Sequence, residues 1–244
     1  MRKILLVETK LHLRQWPNMI FTIGLPLALL LGLGSLPDLA KPNPGMGGER
    51  YIDTQLPAQM TLLAVLTLAC SVLPAVLVTY REQGVLRRMS TTPVAPGRLL
   101  AAQLIINLVV GTVSVFLLVV LGYVVLGAAM PKQFPGFVLV FLLGSAALLA
   151  LGLVISSIAP TGKSAPGIGS VVMFPLMFVA GMWIPREAMP DALRAVSDYS
   201  VAGPFAQALR DTWAGHAPQP LHLIVMAAGL LAFGGIAIRL FRWE

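Results

Sequence analysis

Six stretches of this 244-residue chain contain no Asp, Glu, Lys or Arg: 15–37, 54–80, 99–131, 133–162, 164–185 and 212–238. The shortest holds 22 residues, and a helix needs roughly 20 to cross the ~30 Å hydrocarbon core of a bilayer. Soluble domains carry about 25% charged residues; this chain carries 11% and is 57% hydrophobic. Lipid offers a peptide group no hydrogen-bond partner, so each stretch closes its own backbone bonds as a helix. The expectation is an all-α polytopic membrane protein, a single domain over 1–244. Its six transmembrane helices fall at about 19–36, 58–80, 103–127, 135–158, 166–184 and 220–240.

The basic residues orient these spans. With the N-terminus in the cytoplasm, the inner pieces hold 11 of the 17 Lys and Arg and the outer pieces 6. The positive-inside rule therefore predicts cytoplasmic N- and C-termini, in a bacterial inner or plasma membrane. Trp16, Trp183, Trp213 and Trp243 all fall at or near proposed span ends, where indole favours the headgroup zone. The net charge of +7 lies beside inner span ends and faces anionic lipid, so membrane lipids rather than nucleic acid are its expected partner.

Between the spans, residues 1–18 interleave Ile4, Leu5, Val7 and Leu11 with Arg2, Lys3, Lys10 and Arg14, the pattern of an interfacial helix with snorkelling cations. The first span is long for the core of a signal peptide, and no small-x-small site follows before Pro37-Asp38, so it reads as uncleaved. Residues 185–219 carry Pro185 and Pro190, then two short amphipathic patterns around 191–196 and 205–213. These predict outer helices that re-enter the membrane or lie on it.

Several chemistries are excluded. Pro160-Thr-Gly-Lys-Ser resembles the end of a phosphate-binding loop, but that motif needs glycine where Ser157 stands and a strand before it. The three histidines lie at or near interfaces, giving no nucleophile with a buried base and no metal pair at helical spacing inside the lipid. Cys70 is alone, so it forms no intrachain disulfide. An ion-coupled carrier usually holds ionisable groups at mid-membrane, and these spans have none. No catalytic residue, cofactor or metal is assigned to the chain; a pore remains, or a protein powered from outside.

Tyr80–Leu100 is the one charge-dense, helix-patterned segment between two long apolar runs. Glu82–Met89 predicts a two-turn helix, stopped near Thr92-Pro93. Its cations suit anionic lipid or a docked protein; lipid alone does not account for the order Arg-Glu-x-Gly-x-Leu-Arg-Arg-Met before a Thr-Pro turn.

Tyr80-Arg-Glu-Gln-Gly-Val-Leu-Arg-Arg-Met-Ser-Thr-Thr-Pro resembles the coupling-helix region of type-2 ATP-binding-cassette (ABC) permeases. Pro175-Leu-Met-Phe-Val-Ala-Gly-Met-Trp-Ile-Pro-Arg-Glu-Ala-Met-Pro resembles the family's fifth span and its proline-flanked ending, and Ser200–Asp211 the following outer-helix segment around Pro204. The chain departs from the family pattern at Tyr80, Ala180 and Gly203, where an acid, a serine and an asparagine are usual.

The resemblance implies a drug- or antibiotic-exporter-like membrane subunit that hydrolyses no ATP itself. ATP and Mg are bound by a separate ABC ATPase, present in two copies, and two permease chains pair as a homodimer or heterodimer. The cytoplasmic coupling helix would span 81–93, with Glu82, Gly84, Val85, Leu86, Arg87, Arg88 and Met89 as its ATPase contacts. Substrate would pass along the permease–permease interface by Met173, Phe174, Met177 and Phe178. Pro185, Pro190 and Pro204 mark the outer-helix motif. Uniformly apolar spans favour a hydrophobic or amphipathic small molecule; a lipid or lipid-linked polysaccharide is the alternative, and a passive channel or ion-coupled carrier a further one.

Overall fold

A computed structural model describes residues 9–10, 20–42, 48–85, 97–184 and 186–240. Within them the chain forms eight α-helical elements, two single 3-10 turns (Tyr51–Asp53 and Arg186–Ala188) and no β-strand. The helices are α1 (Ile20–Gly34), α2 (Gln55–Glu82), α3 (Gly97–Leu126), α4 (Phe134–Ile158), α5 (Ala165–Val179), α6 (Asp191–Tyr199), α7 (Ala202–Ala214) and α8 (Pro220–Leu240). Among the described residues four helices are long and apolar enough to cross a membrane: α2, α3, α4 and α8. α1 and α5 are apolar but shorter. The predicted interfacial helix at 1–18 lies outside the described residues except for 9–10.

Proline and glycine set many of the boundaries. Pro135, Pro166 and Pro220 sit in the first turns of α4, α5 and α8, where a missing N–H costs nothing because the first four donors have no helical partner. The fifth span was expected to run to residue 184, but α5 ends at Val179. Gly181 takes φ of +84°, a left-handed conformation that terminates the helix, and 181–184 form a turn instead.

α2 forms the centre of the bundle: 83% of its most apolar stretch is buried, against 17% for α8, which faces outward. It packs on α1, α3, α4, α5 and α7, while α8 lies along α4. Within α2 the turn Leu68–Val72 widens to a π-helix, and the Leu73 N–H reaches back five residues to Leu68 O. The cause is Pro74, whose ring would collide with the carbonyl four residues earlier, Cys70; an inserted residue relieves the clash. α1 repeats the device, with a π-turn at Ile20–Gly24 ahead of Pro26. The carbonyl that Pro26 leaves free, Thr22 O, accepts a long 3.5 Å bond from Ser114 Oγ of α3, as membrane helices require of freed backbone groups.

Two glycines let neighbouring helices close on the α2 π-turn. A β-carbon at Gly152 of α4 would lie 2.2 Å from Ala69 O, and one at Gly169 of α5 only 1.6 Å from Cys70 O. Small residues at such crossings replace the hydrophobic drive that lipid cannot supply. α6 and α7 form a hairpin in which α7 is buried in the bundle and α6 is largely exposed. Phe205, fully buried, fills the space over Gly144 of α4, and Val201 that over Gly229 of α8. Gly144 lies ten residues into α4, so the hairpin tip reaches roughly 15 Å from that helix's N-terminal end at 1.5 Å per residue. Trp213 then stacks edge-on against Phe137 at 4.8 Å, returning the chain to the N-terminal end of α4.

Candidate coupling site and a second polar cluster

The C-terminal end of α2 is built by helix-end chemistry. Gln83 N–H bonds Thr79 O and Gly84 N–H bonds Arg81 O, both at 3.0 Å. Gly84, with φ of +66°, closes α2 by a left-handed turn, and Val85 begins the next helical residue. Arg81 and Glu82, expected within the coupling helix, are therefore the last residues of α2, because the turn falls two residues after them. Leu86, Arg87, Arg88 and Met89 lie outside the described residues.

Arg81 and Glu82 both reach the turn between α4 and α5. The Arg81 guanidinium donates to Ser156 O at 3.4 Å, to Ala159 O and to Pro160 O at 3.4 Å. These carbonyls close α4, whose last turn has unpaired acceptors and a partial negative charge that a cation satisfies. Glu82 Oε2 accepts the Gly162 N–H at 3.0 Å, just ahead of the α5 N-terminus, where an acid is favoured. Only glycine fits there: a β-carbon at 162 would stand 2.3 Å from Thr79 Oγ1 and 3.1 Å from Glu82 Oε2. Thr161 and Ser164 complete the turn by exchanging backbone and hydroxyl bonds of 2.9–3.2 Å.

On α5 the proposed path residues part company. Phe174 and Phe178, one turn apart, are 56% and 37% exposed on a face shared with Val171. Met173 is half-buried against the core, and Met177 is buried inside it. Pro190 precedes α6 and accepts the Arg194 N–H at 2.9 Å; Pro204 is buried in the first turn of α7. Pro185 lies outside the described residues.

Near the N-terminal end of α2 lies a polar cluster that sequence reasoning missed. Tyr51 Oη donates to Gln59 Oε1 at 2.8 Å, and buried Gln59 Nε2 donates to Gly181 O at 3.1 Å, tying α2 to the end of α5. Arg186 pairs twice with Asp198 at 2.9 and 2.6 Å, and Gln207 adds a 3.3 Å bond to the same carboxylate. The signal was Gln59, an amide inside an apolar run, which burial makes costly unless paired; its partner is 122 residues away.

The sequence profile of the ABC-2 type transporter family matches residues 3–213. The chain belongs to the ABC-2 type transporter family. It is similar to "Putative transport permease YvfS" of Bacillus subtilis (strain 168), with 23% identity over 234 residues covering 96% of this chain and 93% of that protein. As an ABC-2 member it is a multi-pass membrane protein and a membrane transport component of an ABC transporter. Members of the family are transmembrane subunits, generally not catalytic themselves, and typically pair with an ATPase subunit.

Proposed function

We propose that this ABC-2 chain is half of an exporter that moves a hydrophobic or amphipathic small molecule from the cytoplasm or inner leaflet outward. ATP, with Mg, is hydrolysed on a separate nucleotide-binding subunit; two permeases, with six spans each and both termini cytoplasmic, serve two ATPases. The observation that carries this reading is the course of α2. One helix links the outer cluster at Gln59 to the inner turn at Gly84, so a force applied beyond Gly84 is transmitted along the bundle's buried axis. α5 rests on that axis at Gly169 and offers Phe174 and Phe178 outward. A substrate path between two copies of that face suits an apolar cargo, since aromatic surface desolvates at little cost.

The α6–α7 hairpin, seated at the level of Gly144, fits a re-entrant rather than surface-lying arrangement. An apolar groove of about 600 Å³ between α3, α4 and α8, bordered by Leu104, Leu108, Ala146, Leu149 and Leu230, has room for lipid acyl chains.

The test is co-expression of tagged permease with a cassette ATPase encoded beside its gene. The ATPase is expected to co-purify and to be lost when 85–92 is scrambled. Efflux of a dye or drug panel is expected from cells carrying the pair and not from an ATPase-dead control. Retention of the ATPase by the scrambled permease would sink the coupling role, and substrate flux through permease-only liposomes would favour a passive channel.

A further inference from the structure

We infer that Arg81 and Glu82 are positioning residues that clamp the α4–α5 turn, residues 159–164, to the foot of the coupling segment, so that motion entering beyond Gly84 drives α5 directly as well as α2. This rests on the coupling role proposed above. Three observations of different kinds meet at the same place. Arg81 takes backbone carbonyls of Ser156, Ala159 and Pro160, so it grips the frame of the turn rather than one replaceable side chain. Glu82 holds the Gly162 N–H at 3.0 Å, and Gly162 has no room for a β-carbon against Thr79. Val78, Ala159 and Ala165, with Ile168 against them, form an apolar cluster separate from the main core, joining α2, the turn and α5 beside these polar bonds.

The mechanical consequence follows from the short distances along the chain. Glu82 stands two residues before Gly84, and Gly162 three before the first residue of α5. A shift at the inner end of α2 therefore meets α5 at its base. The Gly169 crossing offers a second contact higher up, so α2 holds the part of α5 that precedes Pro175 at two levels. Glu82 acts here as an acceptor for a backbone N–H, a role in which its charge is secondary. A carboxylate that instead docked on a basic group of the ATPase would depend on that charge.

The experiment uses permease–ATPase complexes in nanodiscs, followed by hydrogen–deuterium exchange with and without a non-hydrolysable ATP analogue. Glu82→Ala is expected to speed exchange across 160–165 by about tenfold, as loss of a single side-chain-to-backbone hydrogen bond allows. It should also abolish the nucleotide-dependent change in α5 while the ATPase stays bound. Glu82→Gln, which keeps an acceptor oxygen, is expected to restore both to within about twofold of wild type. Arg81→Ala should resemble Glu82→Ala. Unchanged exchange in Glu82→Ala overturns the clamp. Loss of the ATPase in Glu82→Ala and Glu82→Gln alike overturns it too, by making the charge a partner contact. If the wild-type chain holds no ATPase, the functional reading fails instead, and the exchange in permease alone still decides whether the clamp exists.

Discussion

Gly169→Ala puts the α2–α5 contact to the most direct test. The β-carbon would stand 1.6 Å from Cys70 O, whereas ordinary contact begins near 3.4 Å. The difference, 3.4 minus 1.6, requires α5 to retreat by about 1.8 Å or α2 to bend away. Backbone carbonyl cannot swing aside as a side chain can. A gap of even 0.5–1 Å forfeits a quarter to a half of a dispersion contact, so most of the close packing between the two helices at this level is lost. Overpacking of this kind typically costs about 1–3 kcal/mol. For a domain of this size that is a fall in melting temperature on the order of 2–12 °C, at ~2–4 °C per kcal/mol.

The assay is thermal unfolding of detergent-purified permease, with Gly235→Ala as the matched control. Gly235 lies exposed on α8 with nothing within 4 Å of its missing β-carbon, so that change should be neutral or slightly stabilising through helix propensity. A Gly169→Ala protein melting within a degree of wild type would refute the idea that backbone contact at the π-turn holds α5.

Phe205→Ala empties the space over Gly144 and is expected to cost ~3–5 kcal/mol, the usual range for a buried phenylalanine, read as a larger melting shift than that of Gly169→Ala. Asp198→Asn keeps the side chain's size but removes the charge that Arg186 pairs with twice, so its melting temperature is expected to fall below wild type at pH 7, and an unchanged value would show that the pair contributes nothing to stability. Tyr199, 71% exposed at the hairpin tip, tests re-entry. In a Cys70→Ala background, Tyr199→Cys is expected to resist a membrane-impermeant maleimide in intact cells, and labelling as fast as at an outer loop such as Lys132→Cys would place the tip in open water.

Much of this architecture is fixed by the sequence itself. Charge-free runs longer than a bilayer's thickness leave helices as the way to satisfy their peptide groups, and prolines and glycines at their ends state where several begin and stop. Even the π-turns have a local cause in Pro26 and Pro74, although the sequence does not say which neighbours will close over them. The loop at Tyr80–Leu100 marks itself by charge and pattern. Tertiary structure alone decided what its first charged residues do. Glu82 meets Gly162 across 80 residues of chain and Gln59 meets Gly181 across 122. Such pairings depend on helix crossings that put one backbone within reach of another, and neither periodicity nor composition encodes a crossing point. The same holds on α5, where Phe174 and Phe178 face outward while Met173 and Met177 turn toward the core: four apolar residues look equivalent in sequence until a neighbouring helix covers one side.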